Sequence, residues 1–212
     1  MQVTILGAGN MARGIATRLL AGGNDVQILD RDAGHAATLV DELRAASDGR
    51  VSPGTIGDDI RGEVVVFAIP YVAVAGLIDS YGEQLADKTI VDITNPINAT
   101  YDGLSTPADS SAAEEIARRV PASARVVKAF NTTFAGTLTV GTVAGQPLDV
   151  FLAGDDADAK ARVAGLVEAG GLRPLDAGPL ARSRYLEGLG LLHITLQFTL
   201  GTAFGSAVKI LP

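Results

Sequence analysis

The chain has 212 residues, of which 47% are hydrophobic and 5% aromatic, and its formal net charge is −7. This length fits one large domain or one domain with a small appendage, and the acidic balance argues against nucleic acid or an anionic membrane as the main partner. The absence of cysteine excludes disulfides and thiol chemistry, and the two histidines, His35 and His193, lie too far apart to predict a metal site.

The first predicted element is a short apolar strand, residues 2–6, which leads into the turn Gly-Ala-Gly-Asn-Met-Ala. A strand, a turn of the pattern Gly-x-Gly-x-x-Ala and an amphipathic helix form the phosphate-binding start of dinucleotide-binding folds. Gly7 permits the tight turn, Gly9 leaves room for a pyrophosphate, and Ala12 lets the helix pack on the strand. An ordinary strand–helix turn without a ligand is the alternative. The cofactor-binding residues predicted from this turn are Gly7, Gly9, Asn10 and Met11.

The second apolar run ends at Asp30, about 20 residues after the glycine turn, where dinucleotide-binding folds place the acid that binds the ribose. A carboxylate at this position accepts from the ribose 2′-OH of NAD and would repel the 2′-phosphate of NADP. The next residue, Arg31, could instead pair with that phosphate or lie over the adenine. Both residues are predicted to bind the cofactor, and the choice between NAD and NADP stays open. A surface ion pair between Asp30 and Arg31 is the alternative.

Strands and helices alternate along the chain. The apolar runs that predict buried, parallel strands lie near residues 2–7, 25–30, 63–69, 89–94, 125–130 and 148–153, with a weaker run near 172–175. Helical patterns lie near residues 10–22, 32–47, 71–86, 109–119 and 156–170. The residues expected to cap or start three of these helices are Asp32, Asp109, Asp155 and Asp156. The alternation predicts an α/β fold with a Rossmann-like, doubly wound, mostly parallel sheet.

Residues 178–212 have a different pattern. Gly178-Pro179 breaks the chain, and the stretch from Leu180 to Val208 is predicted to be helical, with glycines that divide it or allow close helix contact. Leucines recur along it at positions 186, 189, 192, 196 and 200. We predict a dinucleotide-binding domain over residues 1–177 and a C-terminal helical cap or dimerisation segment over residues 178–212, which covers the sheet or binds a second subunit.

The carboxyl ends of the strands carry the rest of the candidate site, because ligands of such sheets bind there. Polar amides and hydroxyls follow two apolar strands, and a nicotinamide needs such donors and acceptors beside apolar ring contacts. Turn formation alone is the alternative explanation for these residues. The cofactor-binding candidates at the strand ends are Ile69, Pro70, Thr94, Asn95, Pro96, Ala129 and Asn131.

No catalytic acid–base set stands out in the sequence. Histidine is the usual proton donor near neutral pH, so His193 is a minor catalytic candidate, although a lone histidine on an apolar segment is more often a packing residue. Asn131 is the second weak candidate, and His35 is expected on a solvated helix face. Without a strong acid, the chemistry is expected to reside in a cofactor.

Five segments of the chain resemble the family of NADPH-dependent oxidoreductases of the 8-hydroxy-5-deazaflavin coenzyme and their bacterial dinucleotide-binding relatives. The segments are residues 5–11, 91–96, 127–133, 172–180 and 183–187. The resemblance implies a Rossmann-like sheet with a small C-terminal helical part, a homodimer, NADP(H) at the glycine turn and hydride exchange with the deazaflavin. Members that use NADP usually carry Ser-Arg or a similar pair where this chain has Asp30-Arg31, so NAD(H) stays a close alternative.

Three functions are compatible with these features. The leading hypothesis is an NAD(P)H-dependent oxidoreductase that exchanges a hydride with a second redox cofactor, such as 8-hydroxy-5-deazaflavin or a flavin. The second is a small imine or carbonyl reductase whose pocket is completed by a second subunit, and the third is a non-catalytic NAD(P)-binding sensor. The sequence shows no basic region ahead of an apolar stretch and no apolar run of about 18 residues, so we expect a cytoplasmic protein that needs no membrane partner.

Overall fold

The computed structural model describes residues 1–47 and 49–211. Its strands are β1 (Gln2–Leu6), β2 (Asp25–Asp30), β3 (Val51–Thr55), β4 (Val64–Phe67), β5 (Thr89–Asp92), β6 (Arg125–Lys128), β7 (Thr142–Val143), β8 (Gln146–Pro147), β9 (Asp149–Gly154) and β10 (Arg173–Gly178). Its α-helices are α1 (Asn10–Ala21), α2 (Ala33–Ala46), α3 (Tyr71–Tyr81), α4 (Ala112–Arg119), α5 (Ala135–Val140), α6 (Ala157–Ala169) and α7 (Ser183–Leu200). No helix within these residues is both long and apolar enough to cross a membrane.

Eight strands form one sheet in the order β10-β9-β6-β5-β4-β1-β2-β3. Strands β1 to β6 pair in parallel, and the order runs outward in both directions from β1 and β4. The apolar faces of α1, α2 and α6 cover one side of the sheet, and those of α3 and α4 cover the other. The predicted α/β, doubly wound, mostly parallel architecture is therefore confirmed.

The last two strands of the sheet correct the prediction of parallel strands near residues 148–153 and 172–175. Strand β9 runs antiparallel to β6, and β10 runs parallel to β9. A parallel return needs a connection that carries the chain back across the sheet. The chain between β6 and β9 contains only the six-residue α5 and the β7–β8 hairpin, and it re-enters the sheet at the edge where β6 ends.

Three short or atypical parts of the structure were not predicted from the sequence: β3, α5 and the β7–β8 hairpin. Strand β3 has the sequence Val-Ser-Pro-Gly-Thr and lies at the edge of the sheet, where proline is tolerated. Helix α5 and the β7–β8 hairpin are too short to show a clear hydrophobic period.

The helix starts were predicted in part. Asp32 caps α2 by accepting from the Gly34 and His35 amides at 2.8 and 3.3 Å, and Asp156 caps α6. Helix α4 is capped by Ser111 and not by Asp109, because α4 begins later than predicted. Asp155 accepts from the Leu180 amide at 2.8 Å and so ties the start of the C-terminal part to the sheet.

The helix predicted over Leu180 to Val208 ends early, at Leu200. Gly201 adopts a left-handed conformation with φ +65° and terminates α7. Residues 201–211, the C-terminal segment, continue without regular structure. Asp149 at the start of β9 anchors this segment by accepting from Lys209 Nζ at 2.5 Å and the Ile210 amide at 2.8 Å. A domain boundary at residue 178 stays a prediction.

The buried face of α7 is polar, and its leucine stripe faces outward. The buried residues include Glu187, His193 and Gln197. Of the predicted stripe, Leu186 is buried, whereas Leu192, Leu196 and Leu200 are exposed. The stripe therefore does not cover the sheet along its whole length, and it leaves an apolar surface on the outside of the helix.

Candidate active site

The glycine turn has the geometry of an open anion site. Gly7 has φ +114°, and a Cβ there would lie 2.4 Å from the Ala68 carbonyl oxygen, so only glycine fits. A Cβ on Gly9 would meet no atom within 4 Å. Within residues 1–47 and 49–211, no side chain caps the start of α1 at Gly9, so the first amides of the helix are available to a phosphate.

A groove of about 330 Å³ runs from this turn to the ends of β4 and β5. It brings together seven residues predicted to bind the cofactor: Gly9, Asn10, Met11, Ile69, Pro70, Thr94 and Asn95. Tyr71, which was not among the predicted site residues, also lines the groove. Burial, followed by the negative charge of Glu115, raises the pKa of Tyr71.

A larger cavity of about 540 Å³ adjoins the groove, and both are lined by Met11, Ile93 and Asn95. Four of the ten aromatic residues of the chain line this cavity, namely Tyr101, Phe134, Phe198 and Phe204. Their place in the site was not predicted from the sequence. The available signal was the rarity of aromatic residues, two of which stand six positions apart near the C-terminus.

Asn95 and Asn131 form a hydrogen-bonded pair of amides. Both line the cavity, and Asn95 also lines the groove. Asn131 Nδ2 donates to Asn95 Oδ1 at 2.9 Å and to the Leu186 carbonyl at 2.8 Å, and Asn95 Nδ2 donates to the Asn131 carbonyl at 2.7 Å. A carbonyl oxygen only accepts, so the Leu186 bond fixes the orientation of the Asn131 amide. Asn131 Oδ1 is then a buried acceptor with no partner in the described structure, and such an atom requires explanation.

Helix α7 approaches this amide pair closely because it carries a glycine there. A Cβ on Gly190 would lie 2.5 Å from Asn95 Oδ1. The C-terminal helix thus takes part in shaping the strand-end site, as does the Leu186 carbonyl.

Below the amide pair lies a fully buried cluster of three charges. Lys128 Nζ donates to Asp92 Oδ2 and Glu187 Oε1, both at 2.7 Å, and to the Thr94 carbonyl at 2.6 Å. Glu187 also accepts from the Ala112 amide at the start of α4. Burial raises the pKa of Glu187, while Lys128 opposes this effect. The cluster ties α7 to β5, β6 and Thr94, which lines the groove, and its ion pairs were not predicted from the sequence.

Asp30 lies at the end of β2, next to the glycine turn. Its carboxylate accepts from the Ala8 amide at 2.8 Å and from the Asp32 amide at 2.9 Å. Each carboxylate oxygen keeps a further lone pair for a ribose hydroxyl. Arg31 is exposed and lies outside the groove and the cavity.

Three other candidates lie away from the open surfaces. Ala129 and Pro96 are buried, and neither lines the groove or the cavity. His193 is buried, with Nδ1 3.2 Å from the Thr132 carbonyl and Nε2 2.9 Å from Ser206 Oγ. Burial lowers the pKa of His193, against a smaller opposite effect of the Thr132 carbonyl. Its contacts are those of a residue that joins α7 to neighbouring segments.

A family model, a sequence relative and a solved structure that are similar to this chain all belong to one family. The family model described as NADP oxidoreductase, coenzyme F420-dependent, matches residues 2–96. The F420-dependent NADP reductase of Methanothermobacter marburgensis is 31% identical over 208 residues, which cover 93% of this chain and 92% of the reductase. The crystal structure of a candidate F420-dependent NADP reductase from Arthrobacter sp. FB24 has a TM-score of 0.86 at 30% identity, with 99% of both chains covered.

The chain is also similar in sequence to part of a much longer protein. Metalloreductase STEAP3 of Rattus norvegicus is 35% identical over 193 residues, and this chain spans 36% of its length. The identity to the methanogen reductase extends over nearly the whole of both proteins. The chain therefore belongs to the family of F420-dependent NADP oxidoreductases, and it is an NAD(P)-dependent oxidoreductase.

Proposed function

We propose that this protein exchanges a hydride between NADP(H) and a second redox cofactor that reacts through a flat ring. Coenzyme F420, an 8-hydroxy-5-deazaflavin, or a flavin would meet this description. The observation that carries the proposal is Asn131 Oδ1, a buried acceptor without a partner in the described structure. It lies beside Asn95, which lines both the groove and the cavity.

The groove is the proposed binding place of the dinucleotide. The open amides at Gly9 and the start of α1 suit its pyrophosphate, and the carboxamide of a nicotinamide offers the N–H donor that Asn131 Oδ1 lacks. When bound, NADPH supplies the hydride. The protein then needs only to hold two rings together and to exclude water, which accounts for a site without a strong acid.

Preference for NADP(H) is supported by the family, and Asp30 is the feature that opposes it. Its carboxylate is oriented by the glycine turn itself, through the Ala8 amide. Arg31 is exposed beside it and suits a 2′-phosphate. We propose NADP(H) as the cofactor, with NAD(H) as the alternative that Asp30 favours.

Two alternative functions, a small imine or carbonyl reductase and a non-catalytic sensor, differ from the proposed one in what the protein turns over. A small imine or carbonyl reductase would use the same groove but would need a more enclosed cavity for a compact substrate. A non-catalytic sensor would bind the dinucleotide without any acceptor. The four aromatic residues of the cavity favour a flat ring over both alternatives.

We also propose that the protein is a homodimer formed through α7. The outer face of the helix exposes Leu192, Leu196 and Leu200, and exposed apolar patches of this kind mark interaction sites. Light scattering should show twice the chain mass, and L196D should halve it. V72D, which changes an exposed valine on α3, should leave the mass unchanged. A single-chain mass for the unaltered protein would contradict the dimer. A cytoplasmic location stays a prediction.

An acceptor screen tests the proposed activity. Purified protein is mixed with NADPH or NADH and with coenzyme F420, FMN, riboflavin or a cyclic imine, and the loss of nicotinamide absorbance is followed. We expect oxidation with a flat-ring acceptor and slower or no oxidation with the imine. Turnover with the imine alone would support the reductase, and tight NADPH binding without any turnover would support the sensor.

A further inference from the structure

Unfavourable backbone conformations are concentrated around the aromatic cavity. In the described residues, six residues other than glycine have positive φ angles. Four of them are lining residues of the cavity or direct chain neighbours of such residues: Tyr101, Phe130, Ala203 and Phe204. Left-handed backbone is rare for bulky side chains, and such residues cluster at functional sites because the surrounding structure must enforce them.

Two of these residues carry aromatic rings that are not buried in the hydrophobic core. Tyr101, with φ +59°, is 51% exposed, and Phe204, with φ +60°, is 42% exposed. Phe130, in contrast, is 5% exposed and is held by packing. A ring that is about half exposed recovers only about half of the free energy of full burial, which is similar in size to the cost of a left-handed backbone, so packing leaves little net gain at Tyr101 and Phe204.

Polar bonds hold both segments in place on each side of the strained residue. The loop that carries Tyr101 is closed by the Asn98 amide, which donates to the Gly103 carbonyl at 3.0 Å, and by Asn98 Nδ2, which donates to Asp102 at 2.7 Å. Around Phe204, Thr202 donates to Gln197, and Ser206 Oγ lies 2.9 Å from His193 Nε2. The chain on both sides of each ring is thus held in position.

The rings form one continuous aromatic wall. Phe198 lies between Tyr101 and Phe204, with centroid distances of 6.2 and 6.1 Å and nearly perpendicular planes. Phe134 extends the wall, edge to face with Phe204 at 5.1 Å. None of the described residues that line the cavity is charged. A ligand there must therefore be bound through ring faces and amide edges, not through ion pairs.

We propose that Tyr101 and Phe204 are specificity-determining residues that hold the flat ring of the hydride acceptor over the Asn95–Asn131 pair. The inference rests on the proposed function, because it concerns the acceptor side of the same site. The strained loops present the two rings to the cavity, and the acceptor ring supplies the apolar contact that they lack in its absence.

Glycine variants test this inference, because they should keep or raise the stability of the protein while they weaken binding of the acceptor ring. Y101G and F204G remove the ring but suit the left-handed backbone, so we expect melting temperatures equal to or above that of the unaltered protein. Binding of 5-deazariboflavin to the protein saturated with NADP⁺, followed by quenching of its fluorescence, should weaken about tenfold in each. The dissociation constant of NADP⁺ should stay within about twofold.

The matched control is A144G. Ala144 also has a positive φ, of +51°, and it is exposed in the hairpin between β7 and β8, outside the groove and the cavity. This variant should relieve the backbone in the same way and leave binding of 5-deazariboflavin unchanged.

Four results would overturn the inference. Unchanged ring binding in Y101G and F204G, while the unaltered protein binds and reduces the ring, would refute it and leave the proposed function intact. A fall in melting temperature of more than about 5 °C without weaker ring binding would assign the rings to packing. A lower mass by light scattering would assign them to the subunit interface. If the unaltered protein binds NADPH but neither binds nor reduces any ring, the proposed function and the inference both fail.

Discussion

Asn131 Nδ2 donates to Asn95 Oδ1 at 2.9 Å, and this bond joins the ends of two neighbouring strands, β5 and β6. The same nitrogen donates to the Leu186 carbonyl of α7, which leaves Asn131 Oδ1 without a partner in the described structure. Two strand ends and α7 thus hold the Asn131 amide in one orientation.

Replacement N131A should weaken NADPH binding. The variant removes the unpartnered acceptor, and the loss of one buried hydrogen bond of about 1–2 kcal/mol corresponds to a dissociation constant raised roughly 5- to 30-fold. Fluorescence titration with NADPH measures it. N24A is the matched control, because Asn24 is also buried and donates to the Leu19 and Gly22 carbonyls, outside the groove. Equal NADPH affinities of N131A and the unaltered protein would exclude a role of Asn131 in binding the cofactor.

The two glycines of the turn should respond differently to substitution. G9V places a side chain in open space, so the free energy of unfolding should change little while NADPH binding is lost. In G7A the new Cβ would clash with the Ala68 carbonyl, and alanine would have to adopt a positive φ. The backbone conformation alone should destabilise the fold by about 1–3 kcal/mol. Urea denaturation and NADPH titration separate the effects. The control G165V lies on the exposed face of α6 and should keep full binding, whereas full binding in G9V would refute the pyrophosphate site.

Asp30 should determine the choice of nicotinamide. D30S removes the charge that repels a 2′-phosphate and keeps a hydroxyl for the Ala8 amide, so the ratio of NADP⁺ to NAD⁺ affinity should rise about tenfold. D25S removes the same charge at the opposite end of β2, where Asp25 pairs with Arg50, and should not alter the ratio. If D30S and D25S give the same ratio, Asp30 does not contact the ribose.

Asp149 should make stability depend on acid pH. Burial on its own raises the pKa of Asp149, but bonds from Arg173, the Ile210 amide and Lys209 outweigh it and lower the pKa to about 2, from 3.8. The folded pKa is depressed, so the stabilisation is present above pH 4 and is lost as the pH falls through 3.8 towards 2. The shift corresponds to roughly 2 kcal/mol.

The variant D149N tests this by urea denaturation at several pH values. It should lower the free energy of unfolding at pH 7 by roughly 2 kcal/mol and remove most of the change between pH 4 and pH 2. D41N, which changes an exposed carboxylate on α2, is the control. An unchanged pH profile in D149N would show that the C-terminal segment is not held by this carboxylate.

The predictable parts of the structure are those encoded by local sequence. The glycine turn, the Asp32 cap and the parallel strands β1, β2, β4, β5 and β6 follow from spacing and residue type, because each depends on neighbours along the chain. The antiparallel direction of β9 could not be predicted, since it depends on how the chain between β6 and β9 folds. The exposed leucines of α7 have the same spacing as a buried stripe, so only the packed structure shows that Glu187 and His193 face inward.

The site was predicted at the level of segments, not of contacts. Strand ends indicated Asn95 and Asn131, but not the unpartnered Oδ1 of Asn131. Tyr101 and Phe204 were missed because their role depends on loops that meet only in the folded chain. Lys128 stands in an apolar strand, and its buried pairing with Glu187 connects residues 59 positions apart.

Single-turnover mixing of the protein with NADPH deuterated at the transferable position of C4 and with coenzyme F420 tests the central claim most directly. Stopped-flow absorbance follows the nicotinamide and deazaflavin bands together, and mass spectrometry locates the deuterium. We expect both bands to decay at one rate, a slower rate with deuterated than with undeuterated NADPH, and deuterium in the reduced deazaflavin ring. NADPH that binds but is not oxidised above background by coenzyme F420, FMN or riboflavin would contradict the account.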